Sequence, residues 1–215
     1  MNILIMGKPG AGKGTQSTML LDYYKFTHVS TGDIYRREMA NETELGILAK
    51  SFIDHGNLVP DDITNKIVKE LLEKTEFPNG FMLDGYPRTV GQAIALDEML
   101  QSLNLKLDAV INVDVRDEVL LERMAGRRVC QDCNQTYHLT FHPTKVEGVC
   151  DKCGGKLYQR KDDEESSVLN RLKIYNSKTK PLLEYYENKK LLITINGEES
   201  SDVVFGKIIK SLGGR

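Results

Sequence analysis

Short apolar runs alternate with longer amphipathic segments along most of the chain. The runs are aliphatic and β-branched, which is typical of the buried strands of a parallel sheet. Five of them predict strands: NILIM from residue 2, THVS from 27, GFMLD from 80, LDAVINVD from 107 and LLITIN from 191. Strands joined by helical crossovers indicate an α/β fold, in which helices cover both faces of a five-stranded parallel sheet.

The segments between these strands place apolar residues at helical spacing. Helices are predicted over residues 12–24, 31–40, 43–56, 61–74, 89–103 and 116–126. A last long helix is expected to begin near Asp162–Glu165 and to continue past Tyr175, until Pro181 perturbs it.

Two stretches break the alternation. Ser30–Val59 is helical and contains no predicted strand, and Gly126–Asp163 is punctuated by Gly, Pro and Cys. Ligands of open α/β sheets bind at the carboxyl ends of the strands, and both stretches are expected at that edge. The sequence therefore predicts one domain over residues 1–215 with two inserted subdomains, 30–59 and 126–163.

Composition and charge narrow the classes of function. The formal net charge is -2 and the pI is near 6.1, which argues against a nucleic-acid binder, since such a protein needs a basic surface to replace counterions. No apolar run approaches the roughly 20 residues of a membrane span, and the N-terminal run MNILIMG lacks the features of a secretion signal. Four cysteines without an export signal predict a cytoplasmic protein.

The sequence GKPGAGKGT, Gly7–Thr15, follows the first predicted strand and opens the first predicted helix. This is the context of a P-loop, in which backbone N–H groups surround phosphate oxygens and a lysine, here Lys13, supplies positive charge. Gly14 stands where the general motif has a magnesium-binding hydroxyl, and Thr15 follows it. Magnesium is therefore expected to be held mainly through phosphates and water. The competing interpretation is an ordinary glycine-rich turn with an exposed lysine.

Six arginines indicate a second phosphate site, which would distinguish a kinase from a switch or a motor. One guanidinium group can donate two parallel hydrogen bonds to phosphate oxygens. The six arginines lie near the ends of predicted elements or in the two inserts. They are Arg36, Arg88, Arg123, Arg127, Arg160 and Arg171. Taken singly, an arginine is more often a solvated surface charge, but the local sequences of several of these favour a phosphate site.

All four cysteines lie in two CxxC pairs separated by 16 residues, the spacing of a tetrahedral zinc ribbon. His138 and His142 offer a competing ligand pair, but His138 follows the first CxxC too closely for a two-Cys, two-His finger. Four thiolates leave no open coordination position, so the expected zinc is structural. Free or redox-active thiols are the alternative. The predicted ligands are Cys130, Cys133, Cys150 and Cys153.

The motif LDGYPRT places Asp84 at the end of an apolar strand, with Arg88 in the turn that follows. With this motif the chain resembles adenylate kinase, of the long bacterial form with a zinc-containing lid. The resemblance runs from Met1 to about Leu212 and rests on the order and spacing of several motifs. These are GKPGAGKGTQ, STGDIYR, GNLVPDD, GFMLDGYPRT, GRRVC, the CxxC pairs, YQRKDD and the NRL of the last helix. The late threonine of the P-loop also matches this family.

The resemblance implies a P-loop nucleoside monophosphate kinase fold with three ligand-binding parts. ATP would bind at the P-loop, residues 30–59 would close over AMP, and residues 126–163 would form a zinc-binding lid over ATP. The implied ATP contacts are Gly10, Ala11, Gly12, Lys13, Gly14, Thr15, Arg127, Thr136, Tyr137 and, through backbone, Glu199. The implied AMP contacts are Thr31, Arg36, Asn57, Leu58, Val59, Gly85, Tyr86, Pro87, Arg88, Gln92, Arg160 and Arg171. A monomer that binds ATP, AMP and ADP is expected.

The resemblance implies that Gln92 recognises the base of the acceptor nucleotide. An amide can pair a donor and an acceptor with an adenine edge, and a guanine edge would not match it. The competing interpretation is a glutamine on the surface of a helix.

The implied reaction is reversible phosphoryl transfer from MgATP to AMP, giving two ADP. The acceptor phosphate is already anionic, so no general base is needed, and no histidine of the sequence lies in an acid–base setting. The catalytic tasks are then positioning and charge stabilisation. They are assigned to Lys13, Arg88, Arg123, Arg160 and Arg171, with Asp84 holding magnesium through waters.

Arg160 and Arg171 would stand ~16 Å apart on one helix, too far to reach one phosphoryl group. The last long helix is therefore expected to begin after Arg160. Asp162 and Asp163 suit a helix start, because the helix dipole favours carboxylates there. Alternatively, they pair with arginines when the lid closes.

Two other functions stay open at this point, a kinase for another nucleoside monophosphate and a zinc-ribbon NTPase that acts on nucleic acid. Residues 126–163 carry seven Arg or Lys and five Asp or Glu, which is little positive charge for gripping a nucleic-acid backbone. The sequence leaves open how far CMP, UMP or other triphosphate donors are tolerated.

Overall fold

The computed structural model describes residues 1–213. Its strands are Ile3–Met6 (β1), Thr27–Ser30 (β2), Phe81–Asp84 (β3), Ala109–Asp114 (β4), Arg127–Cys130 (β5), Thr136–His138 (β6), Leu157–Tyr158 (β7) and Leu192–Asn196 (β8). Five of them form a parallel sheet in the order β2-β3-β1-β4-β8. These five lie within the predicted runs, so the predicted sheet is confirmed. Because β1 pairs with β3 on one side and β4 on the other, its carboxyl end is the switch point where ligands bind.

Helices cover both faces of this sheet. Their bounds are Lys13–Tyr24 (α1), Thr31–Ala40 (α2), Glu44–Ile53 (α3), Asp61–Lys74 (α4), Val90–Ser102 (α5), Asp117–Ala125 (α6), Glu165–Ile174 (α7), Pro181–Asn188 (α8) and Ser201–Leu212 (α9). The six helices predicted before the lid are confirmed, with small differences at their ends. Helix α9 was not predicted, although Val204, Ile208 and Leu212 recur every four residues and are buried. Within the described residues, no helix combines the length and apolar character needed to cross a bilayer.

The alternation of side chains along β1 supplies both layers of the core. Ile3 and Ile5 point into a cluster that joins the sheet to α1, α6 and α9. Leu4 and Met6 point into a second cluster with α4, α5 and α8. Burial on both faces fixes the sheet, and with it the position of every loop at its carboxyl edge.

The predicted last long helix is divided into two. Helix α7 ends at Ile174, residues Tyr175–Thr179 form a π-helical turn, and α8 begins at Pro181. Pro181 occupies the first turn of α8, where its missing N–H has no helical partner to lose. The hydroxyl of Thr179 donates to the Arg88 carbonyl at 2.9 Å, so this junction also holds the turn after β3.

The first insert has its own small apolar core. Tyr35 of α2, Ala49 of α3 and Val59 pack together, with further apolar side chains around them. The two helices approach closely at Gly46, where a Cβ would lie 2.1 Å from the Glu38 carbonyl oxygen.

The second insert is an antiparallel sheet in the order β6-β5-β7. Cys130, Tyr137 and Cys150 form its buried cluster, with Cys133 and Leu157 half-buried against them, and Val129 of β5 is also buried. Cysteine sulfurs therefore make up much of the centre of this small unit.

Candidate active site

The loop Gly7–Gly12 leads from β1 into α1 through glycines with positive φ. Gly7, Gly10 and Gly12 have φ of 145°, 81° and 94°, values that residues with a side chain rarely adopt. A Cβ on Gly7 would also lie 2.4 Å from the Val113 carbonyl oxygen. Glycine is thus required for the loop to wrap closely at the start of α1, as in a P-loop.

Lys13 lies at the floor of this loop. Its ammonium donates to the carbonyls of Gly7 at 2.8 Å and Lys8 at 2.9 Å. Burial lowers the pKa of Lys13 to about 7; the carboxylate of Asp84 opposes this shift, and the charge of Arg88 adds to it. The lysine therefore sits where an incoming anion would restore its full positive charge.

A cleft of about 1370 Å³ extends from the P-loop to both inserts. Most of the residues predicted for nucleotide binding line this cleft, although they come from positions throughout the sequence. They are Gly10, Ala11, Gly12, Lys13, Gly14, Thr15, Thr31, Arg36, Asn57, Leu58, Val59, Asp84, Gly85, Arg88, Gln92, Arg123, Arg127, Thr136, Tyr137, Arg160, Arg171 and Glu199.

Tyr86 and Pro87, also predicted as contacts, lie behind the cleft. Tyr86 is buried, and its hydroxyl donates to Asn65 at 2.7 Å, with the Gln92 carbonyl 3.1 Å away. Pro87 lines a smaller neighbouring cavity of about 70 Å³. Both residues support the turn that carries Arg88.

Arginines converge on the cleft beside Lys13. Burial, together with neighbouring positive charges, lowers the pKa of both Arg160 and Arg171 to about 10. Among the described residues, the buried Nε atoms of Arg36 and Arg160 have no hydrogen-bond partner. Crowded cations with unused donors form a site that an anion would stabilise.

Two aspartates partly neutralise these arginines. Asp163 is buried and accepts a paired contact from Arg127, with the Nε donor at 2.7 Å. Arg171 Nη1 lies 2.8 Å from Asp162 and 3.2 Å from Asp163. The structure therefore favours the alternative in which these aspartates pair with arginines.

The backbone conformation explains why Asp162 and Asp163 do not begin α7. Residues Lys161–Asp163 form a short 3₁₀ turn after Arg160, and α7 starts only at Glu165. The prediction that the helix begins after Arg160 is confirmed. Arg160 and Arg171 can therefore face the same cleft from different elements.

Asp84 ends β3 beside the P-loop. Its Oδ2 accepts from the Ser17 hydroxyl at 3.3 Å and lies 3.7 Å from His28 Nε2. Burial alone raises the pKa of Asp84, but hydrogen bonding from His28 and the charge of Lys13 outweigh burial and hold that pKa below its ordinary value. An ionised carboxylate here is suited to the hydration shell of a divalent cation.

The turn after β3 meets the start of α2. Thr31 Oγ1 and Arg88 Nε both donate to the Gly85 carbonyl, at 3.0 and 2.8 Å. Arg36 pairs with Asp33 one helical turn earlier. The predicted AMP-side residues of the first insert and of the GYPR turn are thus in contact.

The loop after β8 forms the opposite wall. Arg123 Nη1 donates to the Gly197 carbonyl at 2.8 Å. The Glu199 carboxylate pairs with Lys207 of α9, and the contact of its backbone with a ligand stays a prediction.

Sequence reasoning missed several residues of the site. Lys8 donates to Asp117 at 2.6 Å and to the Val115 carbonyl at 3.1 Å, which ties the P-loop to α6. His28 lies beside Asp84, as described above. His138 lines the cleft, and its Nδ1 accepts the N–H groups of two following residues at 3.0 Å. Lys8 and His138 stand within or next to recognised motifs, which is a signal that could have identified them.

The four cysteines form one cluster, with all four Sγ atoms within 4.8 Å of one another. Cys130 and Cys153 are 3.4 Å apart at sulfur, and Cys133 and Cys150 are 3.5 Å apart. Tetrahedral zinc with Zn–S bonds of about 2.3 Å separates its sulfurs by ~3.8 Å. The donor set and spacing are consistent with a structural zinc ion.

A P-loop, a cationic cleft and two inserts on a five-stranded parallel sheet define a P-loop nucleotide phosphotransferase. The family model described as Adenylate kinase matches residues 5–191. The chain is 52% identical to the adenylate kinase of Clostridium tetani over 213 residues, which is 99% of each chain. It is 50% identical to that of Bacillus licheniformis over 215 residues (100% of this chain, 99% of the relative) and 52% identical to that of Enterococcus faecalis over 211 residues, 98% of each.

The chain belongs to the adenylate kinase family. The predicted resemblance and enzyme class, a nucleoside monophosphate kinase, are confirmed. The alternative of an NTPase that acts on nucleic acid is not favoured.

Proposed function

We propose that this protein catalyses reversible phosphoryl transfer from MgATP to AMP, giving two ADP, and so serves adenine nucleotide homeostasis. The observation that carries the proposal is the meeting of two anion sites in one cleft. The P-loop with Lys13 supplies one site, and the arginines around Arg88 supply the other. A triphosphate and a monophosphate bound there would bring their reacting phosphates together.

The two nucleotides are assigned to opposite ends of the cleft. ATP binds at the P-loop under the lid, residues 126–163, with Arg123 and Glu199 on the wall beyond. AMP binds against residues 30–59, between Thr31 and Gln92. Closure of both inserts excludes water and completes the set of arginines around the transferred group.

Catalysis then depends on charge and position. The AMP phosphate is an anionic nucleophile, so no side chain has to remove a proton from it. Lys13, Arg88 and Arg171 face the path of the phosphoryl group, and Arg123 and Arg160 complete the cationic wall. Such groups stabilise the charge that spreads over the phosphoryl oxygens in the transition state. Asp162 and Asp163 keep the arginines aligned before the nucleotides bind.

Two metals complete the proposal. Adenylate kinases use Mg²⁺ with ATP; when bound, the ion neutralises phosphate charge, and Asp84 is placed to hold it through waters. Cys130, Cys133, Cys150 and Cys153 hold Zn²⁺ in the lid, where four thiolates leave no position for substrate. We further propose a cytoplasmic monomer whose partners are ATP, AMP and ADP, without nucleic acid or membrane.

A coupled assay with varied acceptors tests the proposal. With MgATP as donor, we expect kcat/KM for AMP to exceed that for CMP, UMP and GMP by about 100-fold or more, as expected for a site built to hydrogen-bond its base. ADP formation without an acceptor should be slower by orders of magnitude, because closure assembles the site. A higher kcat/KM for another monophosphate would assign the protein to that acceptor. Rapid hydrolysis without acceptor would favour a motor or a switch.

MgATP binding is expected to take up protons above pH 7. Free Lys13, with a pKa of about 7, is mostly neutral near pH 8, whereas bound polyphosphate favours its charged form. Uptake should approach about one proton per ATP near pH 8 and vanish near pH 6, where free Lys13 is already charged. Calorimetry in buffers of different ionisation enthalpy measures this uptake. The Lys13→Arg variant stays charged and is the control; equal uptake by both proteins near pH 8 would contradict the prediction.

A further inference from the structure

The side-chain amide of Gln92 is held at both ends. Gln92 is 2% exposed, yet it lines the cleft. Its Oε1 accepts the N–H of Arg88 at 2.7 Å, and its Nε2 donates to Asp61 Oδ1 at 2.7 Å. An amide has two acceptor and two donor positions. One of each is used here, and one of each is left for a base.

Asp61 determines which end of the amide faces it. The other carboxylate oxygen, Oδ2, lies 2.6 Å from the hydroxyl of Thr89, and that hydroxyl accepts the backbone N–H of Gln92 at 3.1 Å as the cap of α5. The one hydrogen of the Thr89 hydroxyl is therefore directed at Asp61. A carboxylate offers only acceptor positions, so the end of Gln92 that meets Asp61 Oδ1 is the NH₂ group.

A reversed amide would lose both anchors. Its NH₂ group would then meet the donor N–H of Arg88, and its oxygen would meet the carboxylate of Asp61. Two repulsive contacts in a buried position disfavour this arrangement.

The order of donor and acceptor matters because two similar purine bases present opposite patterns. At N1 and position 6, adenine offers an acceptor and then a donor, whereas hypoxanthine offers a donor and then an acceptor. An amide fixed in one orientation matches one of these edges and opposes the other.

We propose that Asp61 is a positioning residue for base specificity, which fixes the Gln92 amide in the orientation that favours AMP over IMP. Asp61 is not among the described residues that line the cleft, and it would influence a bound base through the Gln92 amide, to which it is hydrogen-bonded. The inference rests on the proposed function, since it concerns how the same acceptor site selects its base. Without Asp61, the Arg88 N–H would be the remaining anchor.

The test compares kcat/KM for AMP and IMP in the parent, Asp61→Ala and Asp62→Ala. Asp62 is the matched control, because it is exposed and shares the first turn of α4 with Asp61. In Asp61→Ala the AMP-to-IMP ratio should fall by about 3- to 10-fold, the effect of one lost hydrogen bond. The fall should come mainly from a higher KM for AMP, with the KM for MgATP unchanged. Asp62→Ala should keep the parental ratio.

A second variant, Asp61→Leu, has a similar shape without an acceptor atom and serves if Asp61→Ala folds poorly. Thermal melts establish which variants are folded. A parental ratio in a folded Asp61 variant overturns the inference, and so does an equal fall in Asp62→Ala, which would assign the effect to the start of α4. The proposed function is judged separately, by whether the parent phosphorylates AMP at all.

Discussion

Replacing Arg88 with alanine is expected to lower turnover by about 10²-fold or more, because it removes a charge donor from the transferred phosphoryl group. The side chain lies in the cleft beside Lys13, where burial lowers its pKa and Asp84 partly opposes that shift. The guanidinium donates from Nε to the Gly85 carbonyl. The backbone contacts of Arg88 with Gln92 and Thr179 do not involve the guanidinium and stay in place. The loss should therefore appear in kcat while the fold is preserved.

Arg37→Ala is the control for the loss of an arginine. Arg37 lies on α2, is 67% exposed at its side chain, and pairs with Glu38 away from the cleft. We expect its turnover to stay within about 2-fold of the parent, since exposed ion pairs contribute little. Initial rates at saturating MgATP and AMP, with circular dichroism on the same samples, make the comparison. A folded Arg88→Ala enzyme with near-normal turnover would remove Arg88 from the catalytic group.

The sheet was predictable from the sequence because its central strands β1, β3 and β4 are buried on both faces. Runs such as Phe81–Asp84 contain few polar residues, so the apolar pattern of a buried strand is clear. The loops after these runs carry the chemical motifs. Helix α9 was not predicted, because its apolar residues follow the last strand of the predicted alternation. Its stripe of Val204, Ile208 and Leu212 was nevertheless present.

Side-chain pairs in the site were less predictable, since they depend on packing between distant segments. Arg127 and Asp163 are 36 positions apart and meet only because β5 and the 3₁₀ turn lie at the same base of the lid. From the sequence, a helix cap and an ion pair with an arginine were equal alternatives for Asp163. The buried contact with Arg127 favours the ion pair. Asp61 and Gln92 are likewise 31 positions apart, and neither motif alone points to their hydrogen bond.

The lid depends on its cysteine cluster for its shape. About 38 residues make up the segment 126–163, fewer than the ~40 below which a unit usually needs a metal, a disulfide or a partner. Its buried cluster is Cys130, Tyr137 and Cys150, and Val129 is buried as well, while Leu139 and Phe141 are exposed. A metal bound by the four thiolates would supply the rigidity that such a small apolar centre cannot.

Cys153→Ser is therefore expected to lower both zinc content and melting temperature, while turnover at low temperature stays within ~10-fold of the parent, because no ligand of a closed four-thiolate site reaches the reacting phosphates. Lys145→Ala, an exposed change in the same lid, is the control and should leave all three quantities unchanged. Metal analysis, thermal melts and kinetics on one preparation of each protein make the test. If Cys153→Ser keeps the parental melting temperature but loses turnover by several orders of magnitude, the cluster has a catalytic role. If it keeps both its zinc and its melting temperature, the cluster does not hold the lid together.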